Sequence, residues 1–226
     1  MTASAAVELL AVDKAVRSHD GQPFEILRNF SMTVSAGEFI AVTGPSGAGK
    51  STLLNILGLL DVPSSGRYLL AGRDVATVSE RNRTRLRAEH ISFIFQAYHL
   101  LATKSVLDNV ILGLSCQGTP RARRRAIAEQ ALGEVGLRTH QDAYPLTLSG
   151  GEQQRVAVAR ALARQSTLIL ADEPTGNLDA ANADRVIQLL GGSLRDRAAL
   201  VVVTHDPRIA RAADRVIELG ALAGTP

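Results

Sequence analysis

Residues 44–52 read GPSGAGKST, and the spacing G-x-x-x-x-G-K-S/T within them serves phosphate. Gly44, Gly47 and Gly49 carry no side chain to block the close approach of backbone to phosphate oxygens, with Pro45, Ser46 and Ala48 filling the loop between them. Successive N–H groups and the terminus of the helix that follows supply donors and positive potential. On this pattern Lys50 reaches the β- and γ-phosphates, Ser51 ligates Mg²⁺, and Thr52 adds a hydroxyl donor toward the α-phosphate.

Residues 168–174 read LILADEP, four apolar residues followed by two adjacent carboxylates. Asp172 is placed to hold Mg²⁺ directly or through water. Glu173 is expected to point the other way along a strand and to orient or deprotonate an attacking water. A second apolar run ends in VVVTHD, which sets His205 where it can contact a γ-phosphate. Gln96 closes the run ISFIFQ, and an amide there can touch Mg²⁺ or the attacking water. The remaining histidines, His19, His90, His99 and His140, read as structural. A second helix start that suits an anion lies at LSGGEQQR, residues 148–155, where Ser149, Gly150 and Gly151 precede a helical run.

The elements that must position these residues follow from hydrophobic pattern. EFIAVTG (38–44), TLILADE (167–173) and ALVVVTHD (199–206) lack alternation, as parallel strands covered on both faces do. Ligands sit at the carboxyl ends of such strands, where the motifs fall. VELLAVDKAV (7–16), ILRNFSMTVSAGE (26–38) and GRYLLAGRDV (66–75) read as antiparallel strands joined by turns. About 98–148 reads as mostly helical. The expected fold is therefore α/β: a phosphate-loop NTPase core with a mainly parallel sheet, an antiparallel β layer and an inserted helical subdomain. One domain, 1–226, is divided into a core at about 7–96 and 165–219 and a helical subdomain at about 97–164.

Composition narrows the class further. The chain has 226 residues, 46% apolar and 21% charged, with a formal net charge of +3. No apolar run approaches bilayer-spanning length, and MTASAAVELLAVDK lacks the basic start of a signal peptide. A single cysteine, Cys116, excludes an internal disulfide and reads as partly buried. The densest basic cluster lies in TPRARRRAIAEQALGEV (119–135), which reads as an amphipathic helix with Thr119 as cap, Pro120 at the first position and a solvated arginine face. No nucleic-acid partner is expected from it.

With GPSGAGKS, Gln96, LSGGEQQR, LILADEP, GNLD at 176–179 and His205 in that order, the chain resembles the ATP-binding subunits of ABC transporters over roughly residues 7–219. FIFQAYHLL, SVLDNV, ADEPTGNLD and VVVTHD resemble the MacB/LolD-like branch. The resemblance implies an ATPase using ATP and Mg²⁺, with Ser51, Gln96 and Asp172 at the metal. Two copies pack head to tail, so that Ser149 and the N–H of Gly151 bind the γ-phosphate held by the partner's Lys50, and Asp179 lies at the seam. Glu173 is the implied general base and His205 its γ-phosphate partner.

The resemblance also implies an integral membrane permease subunit contacted through residues 97–110, and a place on the cytoplasmic face of the cell membrane. Export or transmission of force is the implied task, with FtsE-like control of an extracytoplasmic activity as the alternative and a soluble DNA- or ribosome-acting ATPase behind it. Relatives place an adenine-stacking aromatic near position 17, where this chain has Arg17 and, two residues on, His19. They place a proline where this chain has Ala102 and Thr103, and commonly extend the segment after RVIEL.

Overall fold

A computed structural model describes residues 5–17, 23–194 and 198–220; His19 lies outside them. The elements are β1 (Ala5–Arg17), β2 (Pro23–Ser35), β3 (Phe39–Thr43), α1 (Lys50–Leu57), β4 (Ser65–Leu70), β5 (Arg73–Asp74), α2 (Glu80–His90), β6 (Ile91–Phe95), α3 (Val106–Cys116), α4 (Arg121–Glu134), α5 (Gly150–Leu162), β7 (Leu168–Asp172), α6 (Ala180–Leu189), β8 (Ala199–Val203), α7 (Pro207–Ala212) and β9 (Arg215–Glu218). Strands β6, β7, β8, β3 and β9 form a parallel sheet in that order, and β2, β1, β4 and β5 form an antiparallel one. Both layers agree with the expected fold class.

The parallel strands are apolar throughout because both of their faces are covered. Along β3, Phe39 joins the core beneath the helical side of the molecule, while Ile40 and Val42 join the core shared with α1 and the antiparallel sheet. Strand β8 divides likewise, with Leu200 and Val202 on one side and Ala199, Val201 and Val203 on the other. Period-two alternation therefore feeds two cores rather than a core and a solvent face. Each fully buried leucine, isoleucine or valine contributes roughly 1.5–3 kcal/mol relative to exposure.

Several local features hold the site-bearing elements in place. Tyr68 of β4 is buried and donates its hydroxyl to Leu57 O at 2.7 Å, which satisfies a terminal carbonyl of α1. Helices α3, α4 and α5 lie between β6 and β7 in chain order and pack on one another. Buried Asn109 of α3 accepts from Leu101 N at 2.7 Å and donates to the carbonyls of Leu101, Lys104 and Ser105. One amide thus shapes residues 101–105, where Ala102 and Thr103 are exposed.

Two expectations need correction. Cys116 is exposed, because it ends α3 on the outer side of the turn into α4. Helix α4 begins one residue later than expected: Pro120 is its N-cap and Thr119 makes no side-chain cap. The expected face survives that shift, since Ala131 and Val135 are buried while Arg121, Arg123 and Arg125 are exposed. Strand β9 did not register as a strand in the sequence, because RVIE is short and half of its pattern is charged.

Candidate functional site

Parallel pairing brings the carboxyl ends of the strands to one edge. Phe95 pairs with Asp172, Asp172 with Val203, and Val42 with Val203. Gln96, Glu173, Thr204 and the phosphate loop are the residues that leave those ends. Four stretches separated by up to 160 residues of sequence are thereby assembled by register alone.

The loop after β3 is shaped by two glycines. Gly44 has φ 145°, and a Cβ there would stand 2.4 Å from Leu219 O, so no side chain fits. Gly49 has φ 88° and caps α1 without a side-chain hydrogen bond, and a Cβ there would stand 2.9 Å from Ile26 Cγ2. A Cβ on Gly47 would meet open space. Lys50 Nζ donates to Gly44 O and Pro45 O, both at 2.7 Å, which folds the ammonium back over the loop. Pro45, Ser46 and Gly47 are exposed, Ala48 is buried, and Ser51 and Thr52 stand in the first turn of α1, whose N–H groups have no helical acceptor.

The carboxylate pair sits beside this loop. Burial raises the pKa of Asp172, Glu173 raises it further, and nearby Lys50 pulls the other way. Glu173 does not owe its direction to strand alternation, as the sequence suggested: β7 ends at Asp172, and Glu173 adopts φ 44° just beyond it. That left-handed turn directs its carboxylate onto β8's exit. His205 Nδ1 lies 2.7 Å from Glu173 Oε1, while Thr204 Oγ1 and His205 N donate to Oε2 at 3.2 and 3.3 Å. The ring of His205 is largely exposed while Glu173 is mostly covered, so the histidine forms the outer half of the pair.

Gln96 is held by the turn that follows. Its Nε2 donates to Asn177 Oδ1 at 3.1 Å, and Asn177 Nδ2 donates to Gln96 O at 3.3 Å. Gly176 N donates to the backbone carbonyl of Glu173 at 3.1 Å, so this turn starts at the residue that carries the carboxylate. Ser51, Asp172 and Gln96 offer a hydroxyl, a carboxylate and an amide oxygen, a hard-oxygen set that fits Mg²⁺ completed by phosphate and water. Among the described residues no three of His, Cys, Asp and Glu gather as a metal cluster, so the fit is for a phosphate-assisted ion rather than an all-protein cage.

The start of α5 is built differently. Ser149 caps it, with Glu152 N donating to Ser149 Oγ at 3.4 Å and Glu152 Oε2 accepting from Ser149 N at 2.9 Å and Ser149 Oγ at 2.7 Å. Those hydrogen bonds from Ser149 are the main reason the Glu152 carboxyl is held below its usual range. A Cβ on Gly150 would stand 2.9 Å from Tyr98 Oη, and one on Gly151 would stand 2.2 Å from Asn182 Cγ. Asn182 in turn donates to Asp179 Oδ2 at 2.8 Å and accepts from Arg155 Nη1 at 3.1 Å. Asp179 caps α6 through Asn182 N at 2.9 Å. The contacts of Ser149 and Lys50 thus run to separate parts of the molecule.

Glu152, Thr204, Asn177, Asn182 and Arg155 escaped the sequence reading as site residues. Only Glu152 had a signal, since Ser149-x-x-Glu152 is the capping-box pattern. Arg17 is exposed at the end of β1, beside the undescribed 18–22. A cleft of about 890 Å³ lies elsewhere, lined by Gln117, Arg123, Ile127, Glu134 and Arg164, away from the residues assembled at the sheet's carboxyl edge.

A family model described as ABC transporter matches residues 27–176. The macrolide export ATP-binding/permease protein MacB of Salmonella typhimurium is 46% identical over 217 residues, 96% of this chain and 33% of that protein. The pyoverdine export ATP-binding/permease protein PvdT of Pseudomonas putida is 45% identical over 213 residues, 94% of this chain and 33% of that protein. The chain therefore spans about a third of the length of these curated relatives. Among solved structures, the dimeric bacterial ABC transporter cassette MJ0796 aligns with a TM-score of 0.85 at 36% identity, covering 95% of this chain and 94% of that one. A post-hydrolysis dimer of the same cassette bound to ADP and Pi aligns at 0.84, with 37% identity and 94% of each chain covered.

Proposed function

Because this chain belongs to the ABC transporter family and carries its ATP-hydrolysing cassette, we propose that it works as a homodimeric clamp, closed by ATP, that drives a membrane permease of the MacB/LolD-like kind. The observation that carries the hydrolytic part is the 2.7 Å pair of His205 Nδ1 and Glu173 Oε1, set beside Asp172 and the phosphate loop. Phosphate is bound by the N–H groups of residues 46–52 and by Lys50, which leaves Gly44 O and Pro45 O to reach it. Glu173 takes the proton of the attacking water, and His205 holds that carboxylate in place and faces the γ-phosphate. Ser51 and Asp172, with Gln96 alongside, would hold Mg²⁺, which would supply charge neutralisation at the phosphates.

Each ATP is held between Lys50 of one copy and the partner's Ser149 and Gly151. Asp179, linked to Gly151 through Asn182, stands at the seam between the two copies. Loss of the γ-phosphate removes the group that both halves hold, and the clamp opens. Residues 97–164 act as the helical arm that carries this motion toward a permease at the cytoplasmic membrane face, through the segment shaped by Asn109. Among the described residues no helix is long and apolar enough to cross a membrane, so a spanning region would be supplied by another chain or segment.

The test is Glu173→Gln. Turnover is expected to fall by about a thousandfold or more while the ATP-dependent dimer persists in size-exclusion chromatography with light scattering. Steady hydrolysis by that variant would remove Glu173 from its role.

A further inference from the structure

Three turns beyond Ser149, helix α5 carries an arginine that the reaction above does not use. Arg160 Nη1 donates to His99 O at 2.7 Å and Nη2 donates to Tyr98 O at 2.9 Å. Tyr98 and His99 adopt φ 58° and 48°, two successive non-glycine residues in the left-handed region. Such backbone is costly and persists only where its surroundings dictate it. Arg160 is part of that surrounding, because its planar fork donates to two neighbouring carbonyls at once.

The turn it grips begins two residues after Gln96. Gln96 is therefore held from two directions: its amide by Asn177, and the backbone that follows it by Arg160. The stem of Arg160 also passes over Gly113 of α3, where a Cβ would stand 3.0 Å from Arg160 Cγ. Glycine inside a helix is unfavourable, and here it makes the space that the arginine stem occupies. Burial and the neighbouring Arg164 make the charge on Arg160 less favourable, and its partners are neutral carbonyls.

We propose that Arg160 is a positioning residue for hydrolysis: it fastens the Gln96 turn to the helix that begins at Ser149, so that α5 and Gln96 move as one body. This rests on the reading that Ser149 engages the γ-phosphate of the partner's nucleotide. From Ser149 to Arg160 the helix runs about 16 Å as a rigid rod. Engagement of Ser149 at one end is thereby delivered at the other to the residue beside Glu173 and the Mg²⁺ position. ATP affinity of a single copy depends on the phosphate loop and is untouched by this link.

The experiment compares steady-state hydrolysis by Arg160→Met, Arg160→Lys, Gly113→Ala, Gln96→Ala, Ser149→Ala and Arg160→Met/Gln96→Ala, with fluorescent-ATP binding and ATP-dependent dimerisation measured alongside. Arg160→Met is expected to lower kcat about tenfold with KM and ATP affinity within about twofold, and Arg160→Lys to recover part of the loss through one carbonyl. Gly113→Ala, which only nudges the stem, should lower kcat by about threefold and keeps the test open if Arg160→Met folds poorly. The double variant should be no slower than Gln96→Ala alone, the signature of two residues acting through one element. Folded Arg160→Met or Gly113→Ala protein with unchanged kcat overturns the proposal, as do losses in the double variant that multiply. If Ser149→Ala leaves ATP-dependent dimerisation unchanged, the clamp reading fails and takes this proposal with it. If Ser149→Ala weakens the dimer while Arg160→Met stays at full rate, only the role of Arg160 falls.

Discussion

Two helix starts in this molecule face the same electrostatics and solve it in opposite ways. At α1 the cap is a glycine without a side-chain acceptor, and the nearby carboxylate Asp172 has its pKa raised by burial and by Glu173. At α5 the cap is Ser149, locked into a capping box, and the carboxyl of Glu152 is held below its usual range by that box. The first start has no side-chain cap, and its lysine is held only by the neutral carbonyls of Gly44 and Pro45. The second is satisfied within its own chain, and its single hydroxyl proton is already given to Glu152. A phosphate arriving at α5 must compete with a carboxylate for that proton, whereas one arriving at α1 displaces only carbonyls from Lys50. On the proposed clamp, α1 would be the primary binder and α5 the conditional second step.

The largest test of that contrast is Lys50→Ala. It should weaken ATP binding by a single copy about a hundredfold in a fluorescence titration, since charge-assisted contacts are lost at the open start. Unchanged affinity would place primary binding elsewhere. Ser149→Ala should leave single-copy ATP affinity intact, weaken the ATP-dependent dimer about tenfold, and lower Tm by about 3 °C through loss of roughly 1 kcal/mol of capping. An equal loss of single-copy affinity would erase the distinction between the two starts.

The smallest effect concerns stability alone. A raised carboxyl pKa in the folded state means that Asp172 supports folding only below its unfolded pKa and that this support is lost as pH rises through the folded value. At neutral pH Asp172→Asn should therefore raise Tm of the nucleotide-free chain by about 2 °C while abolishing turnover. Glu152 has the opposite sign: its support is present above the unfolded pKa and fades as pH falls through the folded one. A calorimetric pH series in which Asp172→Asn and Glu152→Gln moved Tm the same way at neutral pH would contradict the contrast.

Legibility differed between these regions for a physical reason. The phosphate loop, the carboxylate pair and the buried strands are written locally, in glycine spacing and in apolar runs, and the fold class followed from them. The partnerships that orient the site are not local. Asn177 meets Gln96 across 81 residues and Arg160 meets His99 across 61, and neither spacing has a sequence signature. The left-handed turn of Glu173 is imposed by the exit of β8 rather than by its own residue type. Helix α2 was equally silent, because Leu86 is its one buried residue and no apolar period marks it.

Gly44 leans on the carbonyl of Leu219, and Leu219 N donates to Thr43 O at 2.9 Å. The back wall of the nucleotide loop is thus made by residues that leave the ribosome about 175 positions after the loop itself. A nascent chain carries the complete phosphate motif long before it owns the surface against which that motif closes. Competence to hold ATP therefore comes late in synthesis, and a chain broken before β9 would display the motif with its wall missing.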